Sequence, residues 1–212
     1  MRYFIRSADF KDIPDILFLT QYFPLCSLPP NKSKLEEKIQ RSKESFNKTL
    51  DPFDRNYIFV LEDRKEKQVI ASSQILSYFD SNRSVCYLLE KKGAVSYLKI
   101  NQIKQGRHQI GGLILNPRYR KSKELLGLQI GMARFLYIKN FPQDFSKKIE
   151  VSLTAPIQEA NNPFWKETGR RIFKKNYSSA LRIFQKNREE FFKVFPKNLK
   201  IELNKLSPQA QN

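Results

Sequence analysis

A basic turn lies between a predicted strand and a predicted helix near the middle of the chain. The strand covers residues 111–115 and stops at Asn116-Pro117, and the turn after it reads Arg118-Tyr119-Arg120-Lys121-Ser122-Lys123. The first N–H groups of a helix are free and lie at the positive end of its dipole, so a helix start suits a diphosphate. Arg120, Lys121 and Lys123 add positive charge at the same place. The pattern predicts phosphate binding, with a plain basic surface as the alternative.

Few other side chains have the types that catalysis needs. His108 is the one histidine of the chain, and it fits either a general base or a hydrogen-bonded imidazole inside the fold. Glu62 ends another predicted strand and could pair with a cation, with a solvated turn as the alternative. Trp165 and its neighbour Phe164 fit either a packed core or an aromatic wall beside a ligand. The two cysteines have neither the number nor the spacing of a disulfide framework or a metal site, so we expect no metal.

The composition favours a folded protein with an anionic partner. The chain has 212 residues, with 39 Lys and Arg against 21 Asp and Glu, which gives a formal net charge of +18. Its hydrophobic fraction of 40% excludes a disordered polyelectrolyte. A nucleic acid, a smaller anionic ligand and a solvated surface are all compatible with this charge. No apolar run reaches the length of a membrane helix and the start lacks a secretory signal, so we expect a cytoplasmic protein without membrane contact.

The elements that must position these residues alternate between strands and helices. We predict strands at residues 3–7, 57–62, 69–75, 111–115 and 148–153, short strands at 85–89 and 95–100, and helices at 13–20, 33–46, 123–138, 163–168 and 178–194. The apolar positions 125, 128, 132 and 135 mark the third of these helices. The order β-α-α-β-β-β-α-β-α combines a hairpin with a crossover. It predicts an α/β fold with a mixed, mostly antiparallel sheet and helices on both faces. Without a long linker, we expect one domain over residues 1–206 and a polar tail at 207–212.

Four stretches of the chain resemble the arginine N-succinyltransferase family, which is part of the GNAT-like acyltransferase superfamily. They are the strand, turn and helix of residues 111–127, and the stretches Leu25-Cys26-Ser27-Leu28-Pro29-Pro30-Asn31, Tyr57-Ile58-Phe59-Val60-Leu61-Glu62-Asp63 and Asn162-Pro163-Phe164-Trp165-Lys166-Glu167-Thr168-Gly169-Arg170-Arg171-Ile172-Phe173. The order of elements is also that of the superfamily. The resemblance implies a GNAT-like fold and transfer of a succinyl group from coenzyme A to the α-amino group of arginine. It implies a coenzyme A thioester, succinyl-CoA or acetyl-CoA, as co-substrate.

The resemblance also implies roles for particular residues. Six residues would hold the coenzyme: Leu115, Arg118, Arg120, Lys121, Lys123 and Gly127. His108 would be the base. Four residues would border the pocket of the amine acceptor: Ser27, Glu62, Phe164 and Trp165.

The sequence departs from the family pattern in the turn and before the strand that precedes it. The turn is about two residues longer and keeps only Gly127 of the family's glycine pair. The family's Asp-His-Thr-Gly stretch and its following Glu correspond to residues 103–106 and Gln109, and a glutamine cannot accept a proton. These losses leave a catalytically silent binding or interaction protein as an alternative to an enzyme. Nucleic-acid binding is a further alternative, and an oligomer is compatible with the sequence.

Overall fold

The structure, a computed structural model, describes residues 1–23, 27–78, 85–102, 107–151, 162–186, 191, 193–194 and 199–211. These residues belong to two compact units, Met1–Phe79 with Gly106–Ser152 and Asp80–Gln105 with Leu153–Asn212. A single domain over residues 1–206 stays a prediction. In the part of the chain that the structure describes, every helix is too short or too polar to cross a bilayer.

The elements of the first unit alternate in the predicted order. They are β1 (Tyr3–Ser7), α1 (Ile13–Thr20), α2 (Lys32–Phe46), β2 (Asn56–Asp63), β3 (Gln68–Tyr78), β6 (Arg107–Leu115), α3 (Leu126–Asn140) and β7 (Ile149–Val151). The strands form one sheet in the order β1-β2-β3-β6-β7. All neighbours are antiparallel except β6 and β7, which are parallel. The predicted mixed, mostly antiparallel sheet is confirmed.

Alternation along the strands places helices on both faces of this sheet. Ile58 and Val60 of β2 pack in one apolar cluster with residues of α1 and α2. Tyr57 and Phe59 point the other way, into a second cluster that contains Leu126 of α3. Successive side chains of a strand point to opposite faces, so the two clusters are the two sides of one sheet. This confirms the predicted helices on both faces.

Strand β6 contains a β-bulge that becomes important for the site. Ser72 of β3 pairs with Ile114 and Gln74 pairs with Gly111, so two residues of β6 lie opposite Ser73. Gly112 has a φ of +59°, which glycine adopts without the steric cost that a side chain would add. A Cβ at this position would also overlap the side-chain amide of Gln74. Both the backbone and the packing therefore require a glycine at the bulge.

Helix α3 differs from its prediction in where it starts and in which face it buries. It begins at Leu126 rather than near residue 123, because Leu125 has a left-handed backbone and forms its N-cap. The apolar positions that marked the helix are exposed large hydrophobics: Leu125, Leu128, Met132 and Phe135. The buried residues are Leu126, Ile130, Gly131 and Arg134.

The second unit has a three-stranded antiparallel sheet of β4 (Val85–Lys92), β5 (Val95–Gln102) and β8 (Lys200–Glu202). The strands expected at 85–89 and 95–100 are therefore confirmed and are longer than predicted. Three helices follow: α4 (Pro163–Glu167), α5 (Gly169–Phe173) and α6 (Tyr177–Lys186). Residues 187–190 of the helix predicted at 178–194 lie outside the described residues, as do residues 152–153 of the strand predicted at 148–153.

Residues 207–211 lie in the polar tail predicted at 207–212, and that tail stays a prediction. Pro208–Gln211 form a helical turn. Ser207 donates from its backbone N–H and its hydroxyl to the two carboxylate oxygens of Glu167, at 2.9 and 2.5 Å. A carboxylate that accepts two hydrogen bonds is a strong acceptor, and it fixes the start of this turn.

Candidate active site

The turn between β6 and α3 is held by backbone interactions at its start. The buried Asn116 donates its N–H to the Ile70 carbonyl at 2.9 Å, and its side-chain oxygen accepts from the Arg118 N–H at 3.1 Å. Lys121 and Leu125 then adopt left-handed backbone, with φ of +65° and +53°. For residues with a side chain this costs about 1 kcal/mol each. The turn thus takes conformations that glycine favours at positions where this chain has none.

The start of α3 has N–H groups without an intrahelical partner. The Leu128 and Gln129 N–H groups donate to the Leu125 carbonyl at 2.8 and 3.0 Å. No side chain caps the helix, so the N–H groups of Leu126 and Gly127 have no acceptor within the helix. A Cβ at Gly127 would make an ordinary 3.6 Å contact with Leu115. Glycine is therefore not required for packing here, and its effect is to leave the backbone accessible.

The predicted coenzyme-binding cations all lie on the turn and all are exposed: Arg118, Arg120, Lys121 and Lys123. Within the described part of the chain, none of them forms an ion pair with a carboxylate. Arg118 lines a cavity of about 300 Å³ together with Arg2 and Glu66. Leu115 lies beside Gly127 at the start of α3, and the four exposed cations lie on the turn that leads into this helix. Their shared contact with one anion stays a prediction.

The predicted base, His108, lies at the other end of β6 and is enclosed. Its Nδ1 accepts from the Ser146 N–H at 3.0 Å, and its ring makes an edge contact with Phe145 at 5.0 Å. Its Nε2 is buried without a well-formed hydrogen bond. Burial lowers the pKa of His108, and the Pro52 carbonyl and the charge of Asp144 only partly oppose this. The surroundings favour a neutral imidazole with a structural role, so its role as a base stays a prediction.

Of the predicted acceptor residues, Ser27 and Glu62 belong to the first unit. Ser27 lies beside the bulge, with its Oγ 3.5 Å from the position of a Cβ on Gly111, and this Oγ is buried with no hydrogen-bond partner among the described residues. Glu62 accepts from the Arg6 Nε at 2.7 Å, and Arg6 also pairs with Asp12. The Glu62 carboxylate therefore already has a cationic partner, and nothing in this geometry supports a role with the acceptor.

Phe164 and Trp165 belong to the second unit, where Trp165 packs against a small aromatic core. Trp165 stacks on Phe173 at 5.2 Å, and Phe173 stacks on Phe191 at 4.5 Å. The Trp165 indole N–H donates to the Lys175 carbonyl at 3.0 Å. These contacts support the core alternative for Trp165, and the contact of either residue with an acceptor stays a prediction.

Two side chains at the bulge were not among the predicted site residues. Gln74 is buried, and its Nε2 has no hydrogen bond. Arg134 is also buried, and it donates to the Gly111 carbonyl at 3.3 Å. The sequence contained one signal for Arg134, since it falls on the stripe Leu126, Ile130 and Arg134 of an apolar helix. Residues 103–106, which replace a family motif, lie outside the described residues. Among the described residues, no group of acidic, cysteine or histidine side chains could hold a metal ion.

Comparisons with known proteins agree with the resemblance seen in the sequence. The family model of the arginine N-succinyltransferase beta subunit matches residues 3–212. The arginine N-succinyltransferase of Yersinia pestis strain Pestoides F is 30% identical over 190 residues, which are 83% of this chain and 54% of the relative. That of Salmonella arizonae is 26% identical over 190 residues, again 83% of this chain and 55% of the relative. The chain therefore spans about half the length of the curated relatives it matches.

A solved structure has the same fold. It is that of the arginine/ornithine succinyltransferase subunit AI from Pseudomonas aeruginosa, with a TM-score of 0.74 and 21% identity. The match covers 99% of this chain and 64% of that one. The family match extends over almost the whole chain and includes the strand, turn and helix described above. The chain belongs to the family of the arginine N-succinyltransferase beta subunit.

Proposed function

We propose that this chain takes part in transferring an acyl group from a coenzyme A thioester to an amine, with succinyl-CoA as donor and the α-amino group of arginine as acceptor. The observation on which this depends is the start of α3. There a turn with exposed cations, which form no ion pair with a described carboxylate, leads into two N–H groups that have no intrahelical acceptor. The names of the relatives supply the donor and acceptor classes.

In this proposal the turn binds the diphosphate of the coenzyme. The N–H groups of Leu126 and Gly127 donate to its oxygens, and the helix dipole favours the negative charge. Arg120, Lys121 and Lys123 neutralise the remaining charge. The pantetheine arm then runs along β6 from Leu115 towards the bulge, because this strand leads directly into the turn.

The chemical step is attack of a neutral amine on the thioester carbonyl. The C–N bond forms, the C–S bond breaks, coenzyme A leaves as the thiol, and the amine nitrogen loses a proton. Donors near the carbonyl oxygen stabilise the negative charge that develops there. In this proposal the carbonyl lies near the bulge, where Ser27 Oγ and Gln74 Nε2 are buried without a hydrogen-bond partner among the described residues.

Binding and turnover can be measured separately. Coenzyme A at a concentration of 100 times its dissociation constant would stabilise the protein by ~2.7 kcal/mol, which a thermal shift assay detects. With succinyl-CoA and arginine, release of the free thiol would report transfer. Absence of a thermal shift at millimolar coenzyme A would refute the proposal.

A second candidate is a chain that binds acyl-CoA without turnover. The enclosed His108 favours it, because the predicted base is sealed by Ser146 and Phe145. This candidate predicts binding of coenzyme A with no thiol release for arginine or other amines. Thiol release that depends on arginine would exclude it.

A further inference from the structure

Arg134 is a buried cation, and no carboxylate of the described residues forms an ion pair with it. Its residue surface is 6% exposed, and it lies on the face of α3 that packs against the sheet. Its Nε donates to the Gly131 carbonyl at 3.0 Å and its Nη1 to the Gly111 carbonyl at 3.3 Å. It forms no ion pair with any described residue. Burial lowers the pKa of Arg134.

A buried charge without a counter-charge destabilises the folded protein unless a bound anion pairs with it. A buried charge needs a counter-charge or complete hydrogen bonding, and a guanidinium has more N–H donors than the two bonds to Gly131 and Gly111 use. Carbonyl groups neutralise no charge. Among the described residues, the Nη2 group of this guanidinium has no acceptor, and an anion is the partner that its charge favours.

The position of Arg134 limits what that anion can be. It lies eight residues along α3 from Leu126, which is about 12 Å. Its partner Gly111 lies four residues along β6 from Leu115, which is about 13 Å. Arg134 and Gly111 therefore lie at about the same distance from the turn that binds the diphosphate. The extended pantetheine arm of the coenzyme would span this distance. Gly111 is also one residue beyond Ile110, the last residue of β6 that pairs with a described residue of β7.

We infer that Arg134 binds the free carboxylate of a dicarboxylic acyl donor and so selects a succinyl over an acetyl thioester. The inference rests on the proposed function, because the thioester must reach the bulge from the turn. A guanidinium binds a carboxylate through two parallel hydrogen bonds. An acetyl group has no carboxylate and leaves the charge uncompensated. The carboxylate of an amino-acid acceptor has the same chemistry, and the test separates the two sources.

The test compares dissociation constants of the full chain for succinyl-CoA, acetyl-CoA and coenzyme A by calorimetry. The unsubstituted protein is expected to bind succinyl-CoA at least ~tenfold more tightly than acetyl-CoA. Arg134→Met removes this preference and leaves the affinity for coenzyme A unchanged, and Arg134→Lys restores part of it. If Arg134→Met does not fold, the preference of the unsubstituted protein and of Arg134→Lys decides the question.

Each remaining outcome has a distinct meaning. Equal binding of succinyl-CoA and acetyl-CoA by the unsubstituted protein overturns the inference and leaves the proposed function standing. If Arg134→Met binds neither coenzyme A nor the two thioesters, Arg134 has a structural role, and this result also overturns the inference. Arg134→Met could instead keep the donor preference but bind arginine more weakly relative to agmatine, which lacks the carboxylate. In that case Arg134 binds the carboxylate of the acceptor, and its assignment to the donor is wrong. No binding of coenzyme A to the unsubstituted protein refutes the proposed function itself.

Discussion

Two buried arginines of the first unit have opposite surroundings. Arg55 donates its Nε to the Leu50 carbonyl at 2.8 Å, and its Nη1 lies 3.3 Å from the carboxylate of Asp144. Arg134 has two carbonyl partners and no carboxylate among the described residues. Burial is similar, at 7% and 6% exposure. The difference indicates that Arg55 stabilises the fold, whereas the charge of Arg134 is available to bind an anionic ligand.

Replacing each arginine by methionine tests this difference most strongly. Among the described residues, Arg55→Met leaves Asp144 with the partly exposed Lys48 as its one ion-pair partner, so we expect a loss of about 3 kcal/mol in the free energy of unfolding. Arg134→Met removes a buried charge without stranding another one, so we expect a change near zero or a gain. Urea unfolding of both variants measures this. Equal losses would mean that Arg134 is as much a structural residue as Arg55.

The bulge beside Arg134 is expected to tolerate no side chain. Gly112→Ala adds left-handed strain and an overlap with Gln74, so we expect a loss of about 2 kcal/mol. Gly93→Ala is the matched control, because its φ is +61° and nothing lies within 4 Å of its added Cβ. It should lose about 1 kcal/mol from the backbone alone.

A double-mutant cycle separates the two contributions at Gly112. In a Gln74→Ala background, Gly112→Ala should cost no more than Gly93→Ala does. An unchanged cost in that background would mean that the overlap with Gln74 plays no part.

Charge reversal in the turn is expected to weaken the binding of coenzyme A. Arg120→Glu with Lys123→Glu should raise the dissociation constant for coenzyme A about tenfold at low salt, and less at high salt. Lys139→Glu with Lys147→Glu makes the same change of net charge at exposed positions away from the turn. Calorimetry at two salt concentrations compares the two pairs. Equal weakening would show that the total charge of the protein acts rather than the turn.

The smallest expected effect concerns His108 and pH. Its folded-state pKa is lowered by burial, so the unfolded chain binds a proton more readily than the folded one. The stability that depends on the neutral ring is complete above the ordinary histidine pKa of about 6.5 and is lost as pH falls below it. His108→Gln should therefore lose less stability than the unsubstituted protein between pH 7 and pH 5. Thermal unfolding at both values measures this, and identical pH dependence would place the ring in solvent.

Much of the first unit could be predicted from local patterns. The strand prediction at 57–62 corresponds to β2 and that at 69–75 to β3, with a polar turn between them. Alternation and turn residues specify such a hairpin without long-range information. The basic turn could also be recognised, because a strand end, a proline and a helix start follow one another directly.

The burial of α3 could not be predicted because the helix is apolar on two sides. One stripe contains Leu128 and Met132, and the other contains Leu126 and Ile130. Periodicity alone gives no preference between two such stripes. An arginine on the second stripe makes that face look solvent-exposed, and the structure buries it instead. Arg134 was missed for this reason, whereas His108 was selected for its residue type although Ser146 and Phe145 enclose it.

The most direct test is a crystal structure of the chain with succinyl-CoA. We predict the diphosphate on the N–H groups of Leu126 and Gly127, the pantetheine arm along β6, and the succinyl carboxylate on the guanidinium of Arg134. A diphosphate bound away from the start of α3 would contradict the account.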